Sequence, residues 1–315
     1  MNQTDDELEA FDPETNLNIS QNICQYYSVD SFNSTFTDGS LYSVLNQNTQ
    51  SYHAKKSAFD SFLDYINISF HSIILTETWN SPVNIDLCFL ERYSGVHTFR
   101  APLVPSRGGP GGGVSVFILS NLYRIRKINE LSICDDKIET CVAQVLPKNS
   151  TDSSCHFIVA VYRPHTNTVE NFIDALHQIL VSPILQNQTV ILAGDMNINI
   201  TREFDTRVQN YLCLLGSLNF IPTITKPTRF PSSINNPLAS SPSTLDHIFI
   251  NQIKDFHSVI FNYDISDHCG TALLFHQHDS ISFSPLSRKI TIRPYSEQNF
   301  EKLYDKLNST NWNLV

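Results

Sequence analysis

Polar side chains of a few types follow short apolar runs in this sequence. In "TVILAGDMNINI", residues 189–200, the apolar run 190–193 predicts a buried strand, and Asp195 and Asn197 come directly after it. In an extended chain these two side chains point to the same face. A turn would explain both residues, because Asp and Asn are common in turns. A rigid site built at a strand end is the alternative interpretation.

Five other stretches end in the same way, and this repetition favours a functional site. They are "VLNQN", "LTETW", "VAVYRP", "TLDHIF" and "DISDHCG". Each polar residue has an ordinary structural explanation by itself, such as a solvated acid or a packing tyrosine. Six such stretches in one chain indicate that the polar residues at the strand ends belong to one functional site. The residues they contribute are Asn48, Glu77, Tyr162, Arg163, Asp195, Asn197, Asp246, Asp267 and His268.

These residue types suit the hydrolysis of a phosphate ester. Carboxylate and amide oxygens are the ligands that Mg²⁺ prefers, and Mn²⁺ accepts similar ones. A second carboxylate can take a proton from water, and a histidine held by an aspartate can stabilise developing charge or protonate a leaving group. Tyrosine and asparagine can donate hydrogen bonds to phosphoryl oxygens. The sequence contains no G-x-S-x-G stretch, which argues against a serine nucleophile of that type.

Length and composition predict a globular protein with a sizeable core. The chain has 315 residues, of which 41% are hydrophobic. No apolar run approaches the ~20 residues that a membrane-spanning helix requires, so no membrane association is expected. The acidic N-terminus lacks the apolar segment of a secretory signal. Seven cysteines without a C-x-x-C pair indicate reduced thiols in an intracellular protein.

The negative charge is concentrated at the N-terminus. The formal net charge is −10, and residues 1–54 contribute −8 of it, which leaves −2 for the rest. We therefore expect residues 1–38 to form an acidic, disordered segment. The remaining chain lacks the basic excess of a strong nucleic-acid binder, but a metal-assisted site remains compatible with this balance.

Predicted strands clearly outnumber predicted helices. The helical stretches are "AKKSAFDSFLDYI", "TVENFIDALHQIL" and "FDTRVQNYLCLLGSLNF". The strands are of half-buried and fully buried types, which is typical of two packed sheets with helices outside.

The sequence resembles the endonuclease/exonuclease/phosphatase superfamily, and more closely the endonuclease domain of non-LTR retrotransposon polyproteins. The resemblance covers about residues 41–275 and predicts a domain at 39–278. It implies a four-layer α/β/β/α sandwich with its site at one edge of the two sheets. The stretches that carry it, in family order, are "SVLNQNTQS", "ILTETWN", "RGGPGGGVSVFI", "VAVYRPH", "LAGDMNINI", "TKPTRF", "STLDHIFIN" and "ISDHCGTAL".

The resemblance implies a role for each site residue. Glu77 is expected to be the principal Mg²⁺ ligand, with Asn48 and Asp267 nearby. Asp195 is expected to orient and deprotonate the attacking water.

The remaining roles concern the phosphate and the transition state. Asn197 and Tyr162 are expected to hold the phosphate, and Arg163 is assigned to substrate binding beside them. His268 is expected to stabilise the transition state, with its ring oriented by Asp246.

The implied activity is Mg²⁺-dependent nicking of DNA that leaves a 3′-hydroxyl, which suggests a nuclear location. Residues 279–315 resemble the connector that leads to a reverse transcriptase, and the polymerase itself is expected to be absent from this chain. No obligate protein partner is predicted. The alternatives are an abasic-site endonuclease, a phosphodiesterase acting on a nucleotide or lipid head group, or an inactive relic that serves as an interaction module.

Overall fold

Two β-sheets dominate the described part of the chain. The computed structural model describes residues 24–37, 41–81, 89–100, 111–149, 155–230, 241–251, 255–263 and 265–276. The strands are β1 Cys24–Tyr27, β2 Tyr42–Asn48, β3 Ser72–Thr76, β4 Tyr93–Thr98, β5 Val114–Leu119, β6 Tyr123–Lys127, β7 Glu139–Pro147, β8 His156–Tyr162, β9 Val190–Asp195, β10 Ile221–Pro222, β11 Asp246–Ile250, β12 Phe256–Phe261 and β13 Gly270–Phe275. The helices are α1 Val29–Thr35, α2 Tyr52–Tyr65, α3 Val169–Leu180 and α4 Thr206–Ser217, with a 3₁₀ turn at Asn129–Leu131.

Both sheets are mixed. The first has the strand order β1-β12-β13-β2-β3-β5-β4, and the second has the order β10-β11-β9-β8-β7-β6. Strands β2 and β3 are parallel neighbours in the first sheet, and β8 and β9 are parallel neighbours in the second. The carboxyl ends of each parallel pair therefore lie at the same edge of their sheet.

The sheets pack face to face, and consecutive residues on the central strands serve different cores. Val44 and Ile158 lie in the core between the sheets, whereas their neighbours Leu45 and Val159 face the helices. Because successive side chains on a strand alternate faces, both faces of the central strands are buried. Helices α1 and α2 cover the first sheet and α3 and α4 cover the second, so the predicted four-layer α/β/β/α sandwich is confirmed.

Helix α3 shows how the sequence directs this packing. Thr168 caps its N-terminus by accepting a hydrogen bond from the backbone N–H of Asn171. Phe172, Leu176 and Ile179 recur at helical spacing and are at most 1% exposed. The apolar stripe therefore faces the second sheet, and the polar side faces solvent.

The structure corrects the prediction of a disordered segment at residues 1–38. Residues 24–37 are ordered, since β1 pairs with β12 in parallel and α1 follows it. Phe32 is fully buried, with its ring centroid 4.9 Å from that of Phe261. The acidic charge is concentrated in residues 5–14, so composition across the whole segment concealed the apolar residues that anchor 24–37. Residues 1–23 and the predicted connector at 279–315 lie outside the described residues.

The predicted helices and central strands are present with small shifts at their ends. Strands β1, β4 and β10, all at sheet edges, had no sequence prediction. None of the helices described is both long enough and apolar enough to span a membrane.

Candidate active site

The predicted site residues meet at one edge of the two sheets. Asn48 ends β2 in the first sheet, and Asp195 ends β9 in the second. In the second sheet Asp195 lies opposite both Asp246 at the start of β11 and Tyr162 at the end of β8. Glu77 follows β3 by one residue. Parallel neighbours and antiparallel register thus bring residues from distant stretches to one place.

Asn48 links the two sheets directly. Its side-chain amide donates hydrogen bonds to Glu77 Oε1 at 2.9 Å and to Asp195 Oδ2 at 2.8 Å. Its Oδ1 accepts the backbone N–H of Gln50 at 3.1 Å. Asn48 is therefore a hydrogen-bond donor between two carboxylates, and its oxygen faces the N–H of Gln50. A metal-ligand role for Asn48 stays a prediction.

Asp195 is a buried carboxylate in a negatively charged setting. It is 1% exposed, and its Oδ1 accepts the backbone N–H of Asn197 at 2.9 Å. Burial and the nearby Asp246 and Glu77 raise its pKa, His268 and the N–H of Asn197 lower it, and the net result is a pKa of about 7. A carboxylate with a pKa close to neutral is well matched to accept a proton from water.

Asn197 lies next to Asp195 because of a turn, whereas the sequence pattern predicted a continuous strand. Strand β9 ends at Asp195, and Asn197 has a left-handed backbone with φ of 49°. The predicted strand alternation therefore stops before Asn197, and an Asx-type turn brings the two together. Its side-chain amide donates to the carbonyl of Arg163 at 2.8 Å.

The Arg163 side chain is buried and bonds to backbone carbonyls next to the site. It is 7% exposed, and its guanidinium donates to the carbonyls of Met196 at 2.8 Å, Asn197 at 2.8 Å and Asn167 at 3.2 Å. These three bonds direct its guanidinium toward the backbone and hold the loop after β9 that carries Asn197. Substrate binding by Arg163 stays a prediction.

His268 and Asp246 form a buried pair. His268 Nδ1 lies 2.8 Å from Asp246 Oδ2, and both residues are almost fully buried. Burial lowers the pKa of His268, but Asp246, Asp195 and Asp267 more than offset it and raise that pKa to about 9. The imidazole is therefore protonated at neutral pH and places a positive charge beside Asp195.

Asp267 lies at the rim of the site. Arg229 Nε donates to Asp267 Oδ2 at 2.8 Å, and the other oxygen lies 3.8 Å from His268 Nε2. Burial alone would raise the pKa of Asp267, but Arg229 and His268 hold it below its ordinary value. The carboxylate is therefore ionised, and its Oδ1 is buried with no hydrogen-bond partner within the described part of the chain.

A family model, "Endonuclease/Exonuclease/phosphatase family", matches residues 32–268, well over half of the chain. The chain belongs to this family. Enzymes of the endonuclease/exonuclease/phosphatase family are metal-dependent phosphodiesterases, so the protein is a hydrolase of that class. No curated protein sequence matches the chain.

Solved structures share this fold at low sequence identity. The endonuclease domain of TRAS1, a telomere-specific non-LTR retrotransposon, has 15% identity and a TM-score of 0.53, covering 75% of this chain and 99% of that one. The AP endonuclease LMAP from Leishmania major has 14% identity and a TM-score of 0.59, covering 86% and 97%. The 3′ phosphatase NExo from Neisseria, bound to a product DNA hairpin, has 14% identity and a TM-score of 0.53, covering 74% and 99%. At such identities the likeness shows the fold.

The donor set of the site suits the divalent metal on which the family depends. Glu77 and Asp267 supply carboxylate oxygens, and Asp267 Oδ1 is the buried atom without a partner noted above. Asp195, Asp246 and His268 also lie close together, with candidate ligand atoms within 4.8 Å of one another. Asp246 and His268 are already hydrogen-bonded to each other. Asp195, Asp246 and His268 are therefore better suited to accepting a proton and stabilising charge than to binding a metal ion.

Three neighbours of the site residues were not predicted from the sequence. The Arg100 guanidinium lies 5.7 Å from the ring centroid of Tyr162. Arg100 forms an ion pair with Glu139, which also accepts the backbone N–H of Gly113 at 2.6 Å. Glu139 begins β7, so the rule of polar residues at strand ends could have identified it, whereas Arg100 has no comparable signal.

Thr228 is the third such neighbour, within the quoted stretch "TKPTRF". Its hydroxyl donates to Asp246 Oδ2 at 2.7 Å and accepts the backbone N–H groups of Leu245 and Asp246, each at 3.1 Å. It fixes the carboxylate that in turn fixes His268.

The loops that follow β2 and β3 hold unusual backbone conformations. Gln50, Ser51, Glu77 and Trp79 have φ values of 44°, 87°, 49° and 54°. Backbone bonds between the two loops hold these conformations, as in Ser51 N–H to the Glu77 carbonyl at 2.9 Å. Strained non-glycine residues of this kind concentrate at functional sites, where the surrounding structure enforces them.

Proposed function

We propose that the protein is a Mg²⁺-dependent endonuclease that hydrolyses a phosphodiester bond of DNA, nicking one strand and leaving a 3′-hydroxyl. One observation carries the proposal: the Asp195 carboxylate and the His268 imidazole are both buried, and their ligand atoms lie within 4.8 Å of each other. The surroundings raise the pKa of Asp195 to about 7 and that of His268 to about 9. A base and a cationic hydrogen-bond donor at one edge are what an in-line attack of water on phosphorus requires.

Each residue has a defined part in this reaction. Asp195 accepts the proton of the attacking water, and its orientation is fixed by Asn48 and by the N–H of Asn197. His268 stabilises the charge that develops on the phosphoryl oxygens, and Asp246 holds its ring.

Two further side chains position the phosphate. The Tyr162 hydroxyl lies near two anions, Glu77 and Asp195, which together with burial raise its pKa and keep it protonated as a donor. Asn197 retains one amide hydrogen beyond the one it donates to Arg163.

Glu77 and Asp267 are the residues that would hold the metal. When bound, the ion would stabilise the negative charge of the phosphoryl group and of the leaving oxygen. Mg²⁺ is favoured because the donors are carboxylate oxygens. Mn²⁺ is expected to substitute for it.

DNA as the substrate is supported by the structural neighbours. TRAS1 is an endonuclease of a non-LTR retrotransposon, and NExo was solved with a product DNA hairpin. The near-neutral charge of residues 55–315 favours weak, salt-sensitive binding. A DNA substrate in turn favours a nuclear location.

A plasmid nicking assay tests the proposal. Supercoiled plasmid should be converted to the open circle with Mg²⁺, and EDTA should abolish the conversion. Glu77→Gln keeps side-chain volume and the bond from Asn48 but removes a charge, so it should abolish nicking at millimolar Mg²⁺. Glu130→Gln, which alters an exposed glutamate in the 3₁₀ turn, is the matched control and should nick like wild type.

The product ends and the substrate range complete the test. A DNA polymerase should extend the nicked plasmid without end treatment, since a 3′-hydroxyl is expected. If the protein cleaves only an oligonucleotide with an abasic site, it is an abasic-site endonuclease and the proposal of retrotransposon-type nicking fails. If it hydrolyses only a phospholipid, it is not a nuclease. Undiminished nicking in EDTA would refute the metal assignment.

A further inference from the structure

One large apolar side chain in the loop that follows β9 is almost completely exposed. Phe204 is 95% exposed, far more than any other exposed large hydrophobic residue in the described part of the chain. It lies in the loop between β9 and α4, seven residues after Asn197. Exposure of a phenylalanine to water is unfavourable, so a packed fold normally turns such a ring inward.

The loop is ordered, so its structure presents Phe204 outward. Asn199 Oδ1 accepts the backbone N–H of Thr244 at 3.0 Å and the hydroxyl of Thr201 at 2.8 Å. The N–H of Arg202 bonds to the Asn199 carbonyl at 3.2 Å, and the N–H of Asp205 bonds to the Arg202 carbonyl at 2.9 Å. Successive turns therefore fix the backbone on both sides of Phe204.

A cleft of about 410 Å³ connects this loop with the site. Its lining includes Asn197 and Arg163 together with Arg202, Asp205 and Arg207. Asp205 forms an ion pair with Arg207 at 2.7 Å and also interacts with Arg202, so three arginines face one carboxylate in this lining. The cleft is therefore positively charged in a protein whose net charge is negative.

We propose that Phe204 stacks on a base of the bound nucleic acid, while Arg202 contacts a backbone phosphate of the same strand. The proposal rests on the proposed function and adds a substrate-binding element to it. A cationic cleft with an exposed aromatic ring on the loop that lines it, between Arg202 and Asp205, matches the way proteins hold an unpaired nucleotide: arginines contact the phosphates and an aromatic side chain stacks on a base. The ring adds affinity without base selectivity, since every base offers a π-face.

Phe204→Ala tests the stacking. Removal of a base-stacking aromatic weakens binding by about 5- to 150-fold, so the KM for nicking of an intact duplex oligonucleotide should rise by that factor. The kcat should stay within about twofold, because the ring touches no reacting atom. Phe204→Trp should restore the wild-type KM. The melting temperature of both variants should match wild type, because the ring is exposed.

A spectroscopic measurement separates stacking from a general structural effect. 2-Aminopurine, placed in turn at each position around the cleaved bond, should lose fluorescence at one position when wild type binds. That loss should be absent with Phe204→Ala. Arg202→Gln should reduce the salt dependence of binding by about one phosphate contact, with a slope change near 0.9 in log K against log salt.

Tyr65→Ala is the matched control. Tyr65 is 63% exposed at the end of α2 that is distant from Asn48, and its removal should leave KM and the fluorescence unchanged. An unchanged KM in Phe204→Ala, or an equal rise in Tyr65→Ala, would overturn the inference. If wild type shows no nicking, the proposed function fails; duplex binding by anisotropy then tests Phe204 independently, and equal affinity of Phe204→Ala and wild type would overturn the inference there.

Discussion

The active site concentrates negative charge around a single amide group. Asn48 donates to two carboxylates, one from each sheet, and Asp246 adds a third to the surroundings of Asp195. The imidazolium of His268 compensates only part of this charge. Such a group of carboxylates favours binding of a cation and keeps the proton affinity of Asp195 high.

At this scale, Asp195→Asn should lower single-turnover nicking by about 10²–10⁴, because the amide cannot accept the proton of water. The exchange also has a structural cost. Both oxygens of Asp195 accept hydrogen bonds, so the new NH₂ must face either Asn48 or the N–H of Asn197. An unmatched donor costs about 1–3 kcal/mol, and the loss of a buried charge offsets part of that cost.

Nicking and thermal melting should be measured on the same preparation. Asp174→Asn, an exposed aspartate on α3, is the matched control and should leave both unchanged. Near-normal turnover of Asp195→Asn would remove Asp195 from the mechanism.

At the scale of elements, the site depends on how closely β8 and β9 approach. Gly194 lies opposite Val161 in the parallel pair and has a positive φ of 148°. A Cβ atom at this position would lie 1.8 Å from the Val161 carbonyl oxygen. Glycine is therefore required one residue before Asp195, and the "GD" of the sequence stretch records a packing requirement as well as a chemical one.

Gly194→Ala should therefore destabilise the protein by more than about 3 kcal/mol, since the strands must separate or the backbone must change conformation. Gly216→Ala is the matched control on α4, where an added Cβ meets no atom within 4 Å. That change should stabilise the protein by about 0.5–1 kcal/mol, because alanine favours a helix. Urea unfolding of both variants measures the difference. Equal stability of the two would contradict the account of the β8–β9 contact.

The hydroxyl group of Thr228 stabilises the buried Asp246–His268 pair. Thr228→Val should leave the N–H groups of Leu245 and Asp246 without their acceptor, at about 1–3 kcal/mol for each. It should also slow nicking, because Asp246 loses a donor that orients it. Thr228→Ser retains the hydroxyl and should preserve most of both properties. Melting temperature and nicking rate measure the two effects, and a valine variant as stable as wild type would refute this role.

Local patterns in the sequence predicted the strand ends and the layered fold, because each of these depends on residues close together in the chain. Two of the bonds that direct the Arg163 guanidinium toward the backbone join it to Met196 and Asn197, which are 33 and 34 positions away. The ion pair of Arg100 with Glu139 spans 39 positions. Such partners become visible only after the strands have been placed in register. The turn at Asn197 was missed for a different reason. An alternating pattern predicts that the strand continues to Asn197, whereas the Asp195 side chain accepts the Asn197 N–H and ends the strand at Asp195.

At the scale of the whole molecule, a polar cluster joins the sheets far from the active site. Tyr42 at the start of β2 hydrogen-bonds to His156 Nε2 at 2.7 Å and to Ser72 Oγ at 2.5 Å. His156 begins β8, so the cluster spans the core between the sheets at the end opposite Asn48 and Tyr162. Burial, with a smaller effect of His71, lowers the pKa of His156 to about 3. The folded protein therefore holds this imidazole neutral.

This cluster predicts a loss of stability in acid. In the unfolded chain His156 takes up a proton as the pH falls below its ordinary pKa of 6.5, whereas in the folded protein it stays neutral until about pH 3. The unfolded state therefore binds more protons between these values, and stability falls with decreasing pH by up to about 1.4 kcal/mol per pH unit from this residue.

His156→Gln removes the titrating group, so the free energy of unfolding should depend less steeply on pH between 6 and 4.5, by about that slope. Urea unfolding at several pH values measures it, with the exposed His53→Gln on α2 as the matched control that keeps the wild-type slope. His156→Gln will be less stable than wild type at pH 7 if it loses the bond to Tyr42, but the slope is independent of that offset. An unchanged slope in His156→Gln would show that this imidazole is protonated within the folded core.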